Sequence, residues 1–499
     1  MNPPIRNAFL GAMAAAVVAL LTLQGCTTVG PDYKEPVIEM PDAWSEKISR
    51  QVALGSGASL QNWWTVFGDP QLNELIERAR KENLDLKVAV SRVRESRAIL
   101  AITRGEKLPL VNAGANASRT KLSDDGPLQQ VAPTGGFDSQ SLFQLGVDAV
   151  WEIDVFGQVR RTIEAAGDSY QASVEDYRDV MVTLFAEVAL AYVDVRATQQ
   201  RILYARENIE AQSESLALAR ARYDSGLSSR LDVAQAAANL AATQATLPSL
   251  ELSLNQSLNR LAVLLGENAG SLQAEFSTTG MVPAPKEAIG IGVPADVLRQ
   301  RPDIRRSERL LAAQTARIGV ATADLYPRFA LSGMFGLQSR SLSNLLDSSS
   351  VAWGLGAPVQ WNIFSGGQVR GNIEVQDEKT QQLLFLYEHK VLTAVEEVEN
   401  AITAFDLNQV RVQYLQAATS ATQEAVELVL VQYDTGLTDF NNVLVTQRDL
   451  FSQQDQLAAT EAEVVANLIA LYKALGGGWD LNDTLDFSGS VKPLQASPS

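Results

Sequence analysis

Arg222-Tyr223-Asp224-Ser225-Gly226-Leu227-Ser228 returns as Gln432-Tyr433-Asp434-Thr435-Gly436-Leu437-Thr438, at an offset of 432 − 222 = 210. The same offset aligns Trp151-Glu152-Ile153 with Trp361-Asn362-Ile363, and Gly157-Gln158-Val159-Arg160 with Gly367-Gln368-Val369-Arg370. It also aligns Leu258, Leu261, Leu265 and Gly266 with Leu468, Leu471, Leu475 and Gly476. Separated matches at one offset mark an internal duplication, so each half should build the same supersecondary unit.

Periodicity says what that unit contains. No proline occurs between Pro133 and Pro248, or between Pro358 and Pro493, which suits long helices because proline breaks a helix interior. In the first stretch Ile163, Tyr170, Val174, Tyr177, Met181, Leu184, Val188, Ala191, Val195, Ile202, Ile209, Leu216 and Tyr223 follow alternating three- and four-residue steps. Ile373, Leu384, Tyr387, Val391, Ala394, Val398, Ala401, Phe405, Val412, Val426 and Tyr433 repeat the seam. A 3.5-residue spacing held this long predicts left-handed coiled-coil packing. A helix from about Gln158 to Arg222 would be roughly 100 Å long. Gly226 and Gly436 can take the left-handed conformation that ends a helix. Ser228 or Ser229, and Thr438 or Asp439, can cap the helix that returns. Gly266 and Gly476 stop the return helices, so each half holds a long helical hairpin with a polar tip.

Ahead of each hairpin the period changes to two. Phe143, Leu145, Val147, Ala149, Trp151 and Ile153 alternate with Gln144, Gly146, Asp148, Val150 and Glu152. Trp353, Leu355, Ala357, Val359, Trp361 and Ile363 alternate with Ala352, Gly354, Gly356, Pro358, Gln360 and Asn362. Leu108 to Thr120 and Phe329 to Gln338 are weaker strand candidates. Alternation over about ten residues with aromatics near the ends is the outer-membrane β-barrel pattern, apolar to lipid and polar to a lumen. Four strands cannot close such a barrel, whose smallest members have about eight, and lipid tolerates no open edge. Copies must therefore combine. Three would give twelve strands and two would give eight, and the residues do not choose.

Composition narrows the chemistry. Among 499 residues Lys plus Arg is 41 and Asp plus Glu 58, for a net charge of −17. Cys26 and His389 stand alone in their types. Such counts leave no zinc ligand set, no internal disulfide and no Ser-His-Asp machine except around His389. The acidic balance lacks a nucleic-acid footprint. No cofactor or metal is expected: Glu396-Glu397-Val398-Glu399 reads as a solvated or lumen-facing helix surface, and His389 as a surface residue. At the N-terminus Arg6 precedes a nearly uncharged run from Ala8 to Leu23, the pattern of a secretory signal over 1–25. Leu23-Gln24-Gly25-Cys26 looks like a bacterial lipobox, which would make Cys26 an acylated anchor. Thr27 follows it, and no later apolar run is long enough for a transmembrane helix.

Three motifs now carry a resemblance. Trp63-Trp64-Thr65-Val66-Phe67-Gly68-Asp69-Pro70-Gln71-Leu72, Arg301-Pro302-Asp303-Ile304-Arg305-Arg306 and Leu471-Tyr472-Lys473-Ala474-Leu475-Gly476-Gly477-Gly478-Trp479 resemble the TolC-like outer-membrane factor lipoproteins of tripartite efflux systems. The resemblance implies a mainly α fold with membrane β: antiparallel coiled-coil hairpins forming an α-barrel, and four amphipathic strands per copy in a trimeric 12-stranded β-barrel. It divides the chain into a lipidated and equatorial segment (26–83), a first repeat (84–266), an equatorial linker (267–300), a second repeat (301–476) and an equatorial tail (477–499). It implies a homotrimer lipid-anchored in the outer membrane and extending into the periplasm. The partners would be a periplasmic adaptor and an inner-membrane, proton-driven pump of the resistance-nodulation-division class. The expected role is export of drugs or other small toxic compounds by a duct that is not an enzyme.

The same resemblance puts Tyr433 and Asp232 where the family holds its periplasmic gate with a tyrosine–aspartate link. From the residues alone, Tyr433 closes the apolar seam and Asp232 is a first-turn acid suited to the helix dipole. Many relatives carry an acid on the inner face of the second return helix. Here Asn442 and Val445 occupy the corresponding positions within Phe440-Asn441-Asn442-Val443-Leu444-Val445-Thr446, so a neutral, amide-lined gate is expected. Ser225-Gly226-Leu227-Ser228 and Thr435-Gly436-Leu437-Thr438 are adaptor-docking candidates, though turn chemistry explains them equally well. The alternatives are a type I secretion exit duct and a non-channel envelope scaffold lipoprotein. The Arg301-Pro302-Asp303 motif and lipobox favour efflux over the first, and two hairpins with repeated strands argue against the second.

Overall fold

In a computed structural model of the chain, residues 28–38, 44, 52–54, 60–123, 138–284, 289–291, 298–480 and 487 are described. The signal segment and Cys26 lie outside them. The chain forms two compact units, each gathered from three stretches: Met1–Pro36, Glu95–Ala172 and Glu308–Phe385 make one, and Val37–Arg94, Ser173–Ser307 and Leu386–Ser499 the other. Each sequence repeat therefore contributes to both units.

The hairpin helices keep the repeat to the residue. Helices α1 (Pro70–Glu82) and α2 (Leu84–Gly105) precede strands β2 (Leu110–Thr120) and β3 (Gln140–Ile153), then α3 (Gln158–Asp224) and α4 (Arg230–Leu264). Helix α5 (Pro302–Ala323) precedes β5 (Arg328–Ser339), β6 (Val351–Gly356) and β7 (Val359–Gln360), then α6 (Gln368–Asp434) and α7 (Phe440–Ala474). Helices α3 and α6 have 67 residues each and α4 and α7 have 35 each, all displaced by 210. A short β1 (Val52–Leu54) pairs in parallel with β4 (Ile289–Ile291).

The tips close as the glycines require. Gly226 and Gly436 sit at φ 72° and 77°. Leu227 N–H reaches back to Arg222 O, and Leu437 N–H to Gln432 O, both at 2.8 Å. These five-residue returns, with Gly226 and Gly436 bonding three residues back, are Schellman closures of the two long helices. The caps differ between halves. Asp439 accepts from Asn442 N–H, whereas Ser229 makes no side-chain cap bond and donates to Asp232 Oδ1 at 2.8 Å. Helix α4 also runs through Pro248, whose repeat counterpart is the buried Ala458. Hydroxyls serve carbonyls beside that break, Thr246 bonding Thr243 O at 2.8 Å and Ser249 bonding Thr246 O at 2.6 Å.

In the first unit β2, β3, β5 and β6 form one sheet in that order, with β7 beside β5. The pairings are antiparallel and in register: Val147 faces Ala113 and Phe335, and Phe335 faces Trp353. One face therefore carries Phe143, Leu145, Val147, Trp151, Leu331, Phe335, Leu337, Trp353 and Leu355. The other carries Asn112 bonded to Asp148 at 3.1 Å and Asn116 bonded to Gln144 at 3.3 Å. β2 and β6 end the order, and among the described residues no further strand pairs along either edge. One expectation is corrected. The fourth strand breaks after Gly356 and pairs again only at Val359–Gln360, so Trp361 and Ile363 lie beyond it. Pro358 has no N–H for a ladder, although its carbonyl accepts from Ala330 at 3.1 Å. Trp361 stays tied all the same: its indole donates to Leu325 O, as the indole of Trp151 donates to Lys107 O, both at 3.0 Å.

In the second unit the three resemblance motifs meet. Trp63 stacks on Tyr472 at 5.3 Å, and Gly478 N–H bonds Leu60 O at 2.8 Å. Asp69 caps α1 and accepts the hydroxyl of Tyr192 at 2.6 Å. Burial and that bond push the Tyr192 hydroxyl up to about 12. Arg301 makes a bidentate pair with Asp303 (3.0 and 2.8 Å) and donates to Ala474 O at 2.7 Å, the end of α7. Lys390 on α6 adds to Asp303 at 3.1 Å, and Glu397 to Arg301 at 2.7 Å. Burial opposes Asp303's charge, yet the hydrogen bonds and charge of Arg301 hold its carboxyl below the ordinary range. Glu397, read from sequence as plain helix surface, is thus part of a charged knot. Trp479 lies under Arg178 at 4.4 Å and Arg305 at 5.8 Å.

Candidate functional site

The hairpin tips share a small core. Leu216, Ala219 and Ala236 from the first hairpin bury against Tyr433, Phe440, Val443 and Leu444 from the second. Tyr433 closes the seam of α6 and tilts against Phe440 at 5.0 Å. Its hydroxyl donates to Asp232 Oδ2 at 3.4 Å, so the tyrosine–aspartate contact links the two hairpins within one chain. At that length the bond is weak. Burial raises the Tyr433 hydroxyl above its ordinary value, and a hydrogen bond to Ser228 works the other way.

Arg222 was not singled out from the sequence. Its guanidinium covers the Tyr433 ring at 4.9 Å and donates to Asp434 O at 2.5 Å, so it crosses between hairpins twice. The signal was available: the repeat puts Gln432 where the first half has Arg222, and a mismatch inside an otherwise copied turn is where the halves do different things.

Asn441, Asn442 and Val445 are not in this core. They are exposed on α7 while Val443 and Leu444 are buried. Asn442 donates to Thr438 Oγ1 at 2.7 Å. Of the two turns, Ser225, Gly226 and Leu227 are exposed and Ser228 is half-buried. Thr435, Gly436 and Leu437 are likewise exposed and Thr438 half-buried. Each turn presents one leucine, Leu227 at 67% and Leu437 at 80% exposure.

Above the tip core the hairpins meet through polar groups at seven-residue steps along α3. Arg201 pairs with Asp455 at 2.6 Å, Asn208 donates to Gln454 at 2.6 Å, and Ser215 accepts from Gln447 at 2.8 Å. Arg448 holds Asn239 Oδ1 at 2.6 Å. Gln212 lies in this layer at 2% exposure with neither amide atom bonded. Along α3, Asn208, Gln212 and Ser215 separate the tip core from the Ile202, Ala205 and Leu250 cluster, while Arg201 sits beside that cluster, next to Ile202. No group of metal-ligating side chains occurs among the described residues, and no helix among them is long and apolar enough to cross a membrane.

Amphipathic strands with open edges, paired hairpins and repeat-matched tips set the context for comparison with known proteins. The sequence profile of the outer membrane efflux proteins matches residues 75–267 and 293–477. This chain belongs to that family. The toluene efflux pump outer membrane protein TtgF of Pseudomonas putida is 31% identical over 474 residues, covering 93% of this chain and 96% of TtgF. The pyoverdine export outer membrane protein OpmQ of Pseudomonas putida is 33% identical over 462 residues, covering 92% and 96%. Among solved structures, the outer-membrane channel OprN superposes with a TM-score of 0.84 at 36% identity, over 91% of this chain and 99% of OprN. The open state of the MtrE outer membrane channel of Neisseria gonorrhoeae gives 0.77 at 28% identity, over 91% and 98%. This outer membrane efflux protein has the mainly helical fold of those channels, with β2, β3, β5, β6 and β7 in one amphipathic sheet.

Proposed function

We propose that this outer membrane efflux protein is the exit duct of a tripartite pump and works as a homotrimer anchored by lipid on Cys26. The open-edged sheet carries the reading. One face is aromatic and aliphatic, the other holds Asn112, Asp148, Asn116 and Gln144, and both edges are free. A free edge in lipid leaves backbone groups unbonded at several kcal/mol each, so β2 of one copy pairs with β6 of the next. Three copies bring twelve strands, which suits a channel wider than the smallest barrels. Continued into the periplasm, the hairpins form the α-barrel. An adaptor docks on the turns around Leu227 and Leu437, and a proton-driven inner-membrane pump supplies the work. The relatives' names cover compounds as unlike as toluene and pyoverdine, which supports export of small molecules chosen upstream of the duct.

The gate in this reading is the hairpin tip. The Tyr433–Asp232 contact and Arg222 form a latch weak enough to be released by pump assembly, a hydrogen bond being worth about 1 kcal/mol net and one to a charged group about 1.5–3. The exposed strip of Asn441, Asn442 and Val445 lines a neutral constriction. Two measurements test the whole. The mass of the detergent-solubilised protein should be that of a trimer, and the trimer should conduct in planar bilayers. A monomeric or non-conducting particle sinks the duct reading. Cation selectivity that titrates with pH and disappears on changing Asn441 or Asn442 sinks the neutral gate alone.

A further inference from the structure

We propose that the apolar face of the sheet holds one phospholipid per chain, with an acyl chain in a cleft over Ala149 and Gly333 and the phosphate on Lys107. The inference rests on the reading of that face as the lipid face. Strand register makes the cleft. Val147, Phe335 and Trp353 stand abreast at one level of the face, and Trp151 and Leu331 stand abreast at another. The level between them holds Ala149, Gly333 and Leu355. An alanine and a glycine between levels of large side chains leave a cleft of about 570 Å³, within the range of small-ligand sites. Leu355 leans over its floor, since a Cβ on Gly333 would lie 3.2 Å from Leu355 Cδ2.

The cleft is held open. Its wall is Trp151, whose indole bond to Lys107 O at 3.0 Å keeps the ring from folding down over Ala149. No charged side chain lines the cleft among the described residues. Apolar surface left in water is costly and in hydrocarbon is not, so an acyl chain suits the cleft better than a polar ligand. The cation stands at its mouth: Lys107 is exposed and belongs to the residue whose carbonyl fixes the indole. Depth agrees with this order. Ala149 lies before the end of β3 at Ile153 by roughly 13 Å of strand, and that end leads into α3. An acyl chain reaching that depth leaves its phosphate near the membrane surface, where a lysine attracts anionic lipid.

The second half of the repeat does not copy the arrangement. Trp361 answers Trp151, but its indole is held by the carbonyl of Leu325, so no cation stands beside it. Val359 takes the place of Ala149, since 149 + 210 = 359, and its branched side chain is 59% exposed. A tryptophan fixed to a backbone carbonyl is therefore common to both halves. The low floor and the lysine belong to the first half alone, which gives one site per chain.

Photolabelling in nanodiscs tests the site and the lipid-face reading separately. The full-length protein is reconstituted with phosphatidylethanolamine and phosphatidylglycerol, the latter carrying a diazirine in its acyl chain. It is irradiated either in the disc or after exchange into detergent, and labelled residues are mapped by fragmentation mass spectrometry. In the disc, label should cover the apolar face, Phe143 and Trp353 included. After exchange it should persist only around Trp151 and Gly333. Lys107→Gln should lower the persistent label about fivefold. Ala149→Leu and Gly333→Leu, which fill the cleft from different strands, should each remove it while Phe143 and Trp353 label in the disc as before. No label on Phe143 or Trp353 in the disc overturns the lipid-face reading and the site with it. Label over the face that is lost everywhere on exchange, or that persists undiminished in both leucine variants, overturns the site alone.

Discussion

Arg222 and Tyr433 make unequal contributions to the same latch. Tyr433→Phe deletes one 3.4 Å hydrogen bond and keeps the ring against Phe440 and Arg222. Arg222→Ala deletes both the cation over that ring at 4.9 Å and the 2.5 Å bond to Asp434 O. A charged hydrogen bond and a cation–π contact together are worth roughly 2 kcal/mol. Closed-state leak in single-channel recordings should therefore rise about tenfold or more in Arg222→Ala and only severalfold in Tyr433→Phe. The opposite order would mean that the tyrosine hydroxyl is the true latch. In the charged knot, Asp179 is held above the ordinary carboxyl range, by burial first and by the charge of Asp303 next, against Lys390, Arg301 and Arg306. A raised carboxyl costs stability above the unfolded value of about 3.9 and nothing well below it. Asp179→Asn should raise the melting temperature at pH 7, with the gain gone below about pH 3.

At the scale of elements the unusual feature is the polar layer between two apolar clusters of the hairpin seam. Buried polar residues in coiled coils set register at some cost in stability. Gln212 shows the cost most plainly, since both amide atoms are buried and unbonded. Gln212→Leu removes that penalty in a similar volume, worth about 1–3 kcal/mol. The variant should resist urea better and open less often, and unchanged urea resistance would mean that the amide is solvated after all. The helices, tip glycines and strand alternation were legible in sequence because each depends on neighbours a few residues away. The fourth strand was over-extended because alternation outvoted Pro358. The polar layer and the Arg301–Asp303 knot were not legible. Arg201 finds its acid 254 residues away and Arg301 its carbonyl 173 residues away, and no local period encodes such partners.

For the whole molecule, duplication gives a rule for what one copy cannot show. In a closed ring the hairpins alternate, first and second from each copy. Turning the ring by one hairpin carries Asp232 to position 442 and Tyr433 to position 223 of the next copy, since 232 + 210 = 442 and 433 − 210 = 223. In the proposed trimer the contact made within the chain by Tyr433 and Asp232 would therefore have a counterpart between chains, Tyr223 with Asn442. Both halves of that counterpart are uncovered in one copy: Tyr223 is 44% exposed, where Tyr433 is 2%, and Asn442 is exposed. The amide replaces a carboxylate, so the seam between copies pairs a tyrosine with a neutral group where the seam within a copy pairs one with an acid. A Tyr223→Cys, Asn442→Cys double variant should form disulfides between copies. It should run as a covalent trimer on non-reducing gels and conduct only after reduction. Disulfide-linked dimers as the end product, or closure unaffected by oxidation, would show that the hairpins do not alternate around one ring.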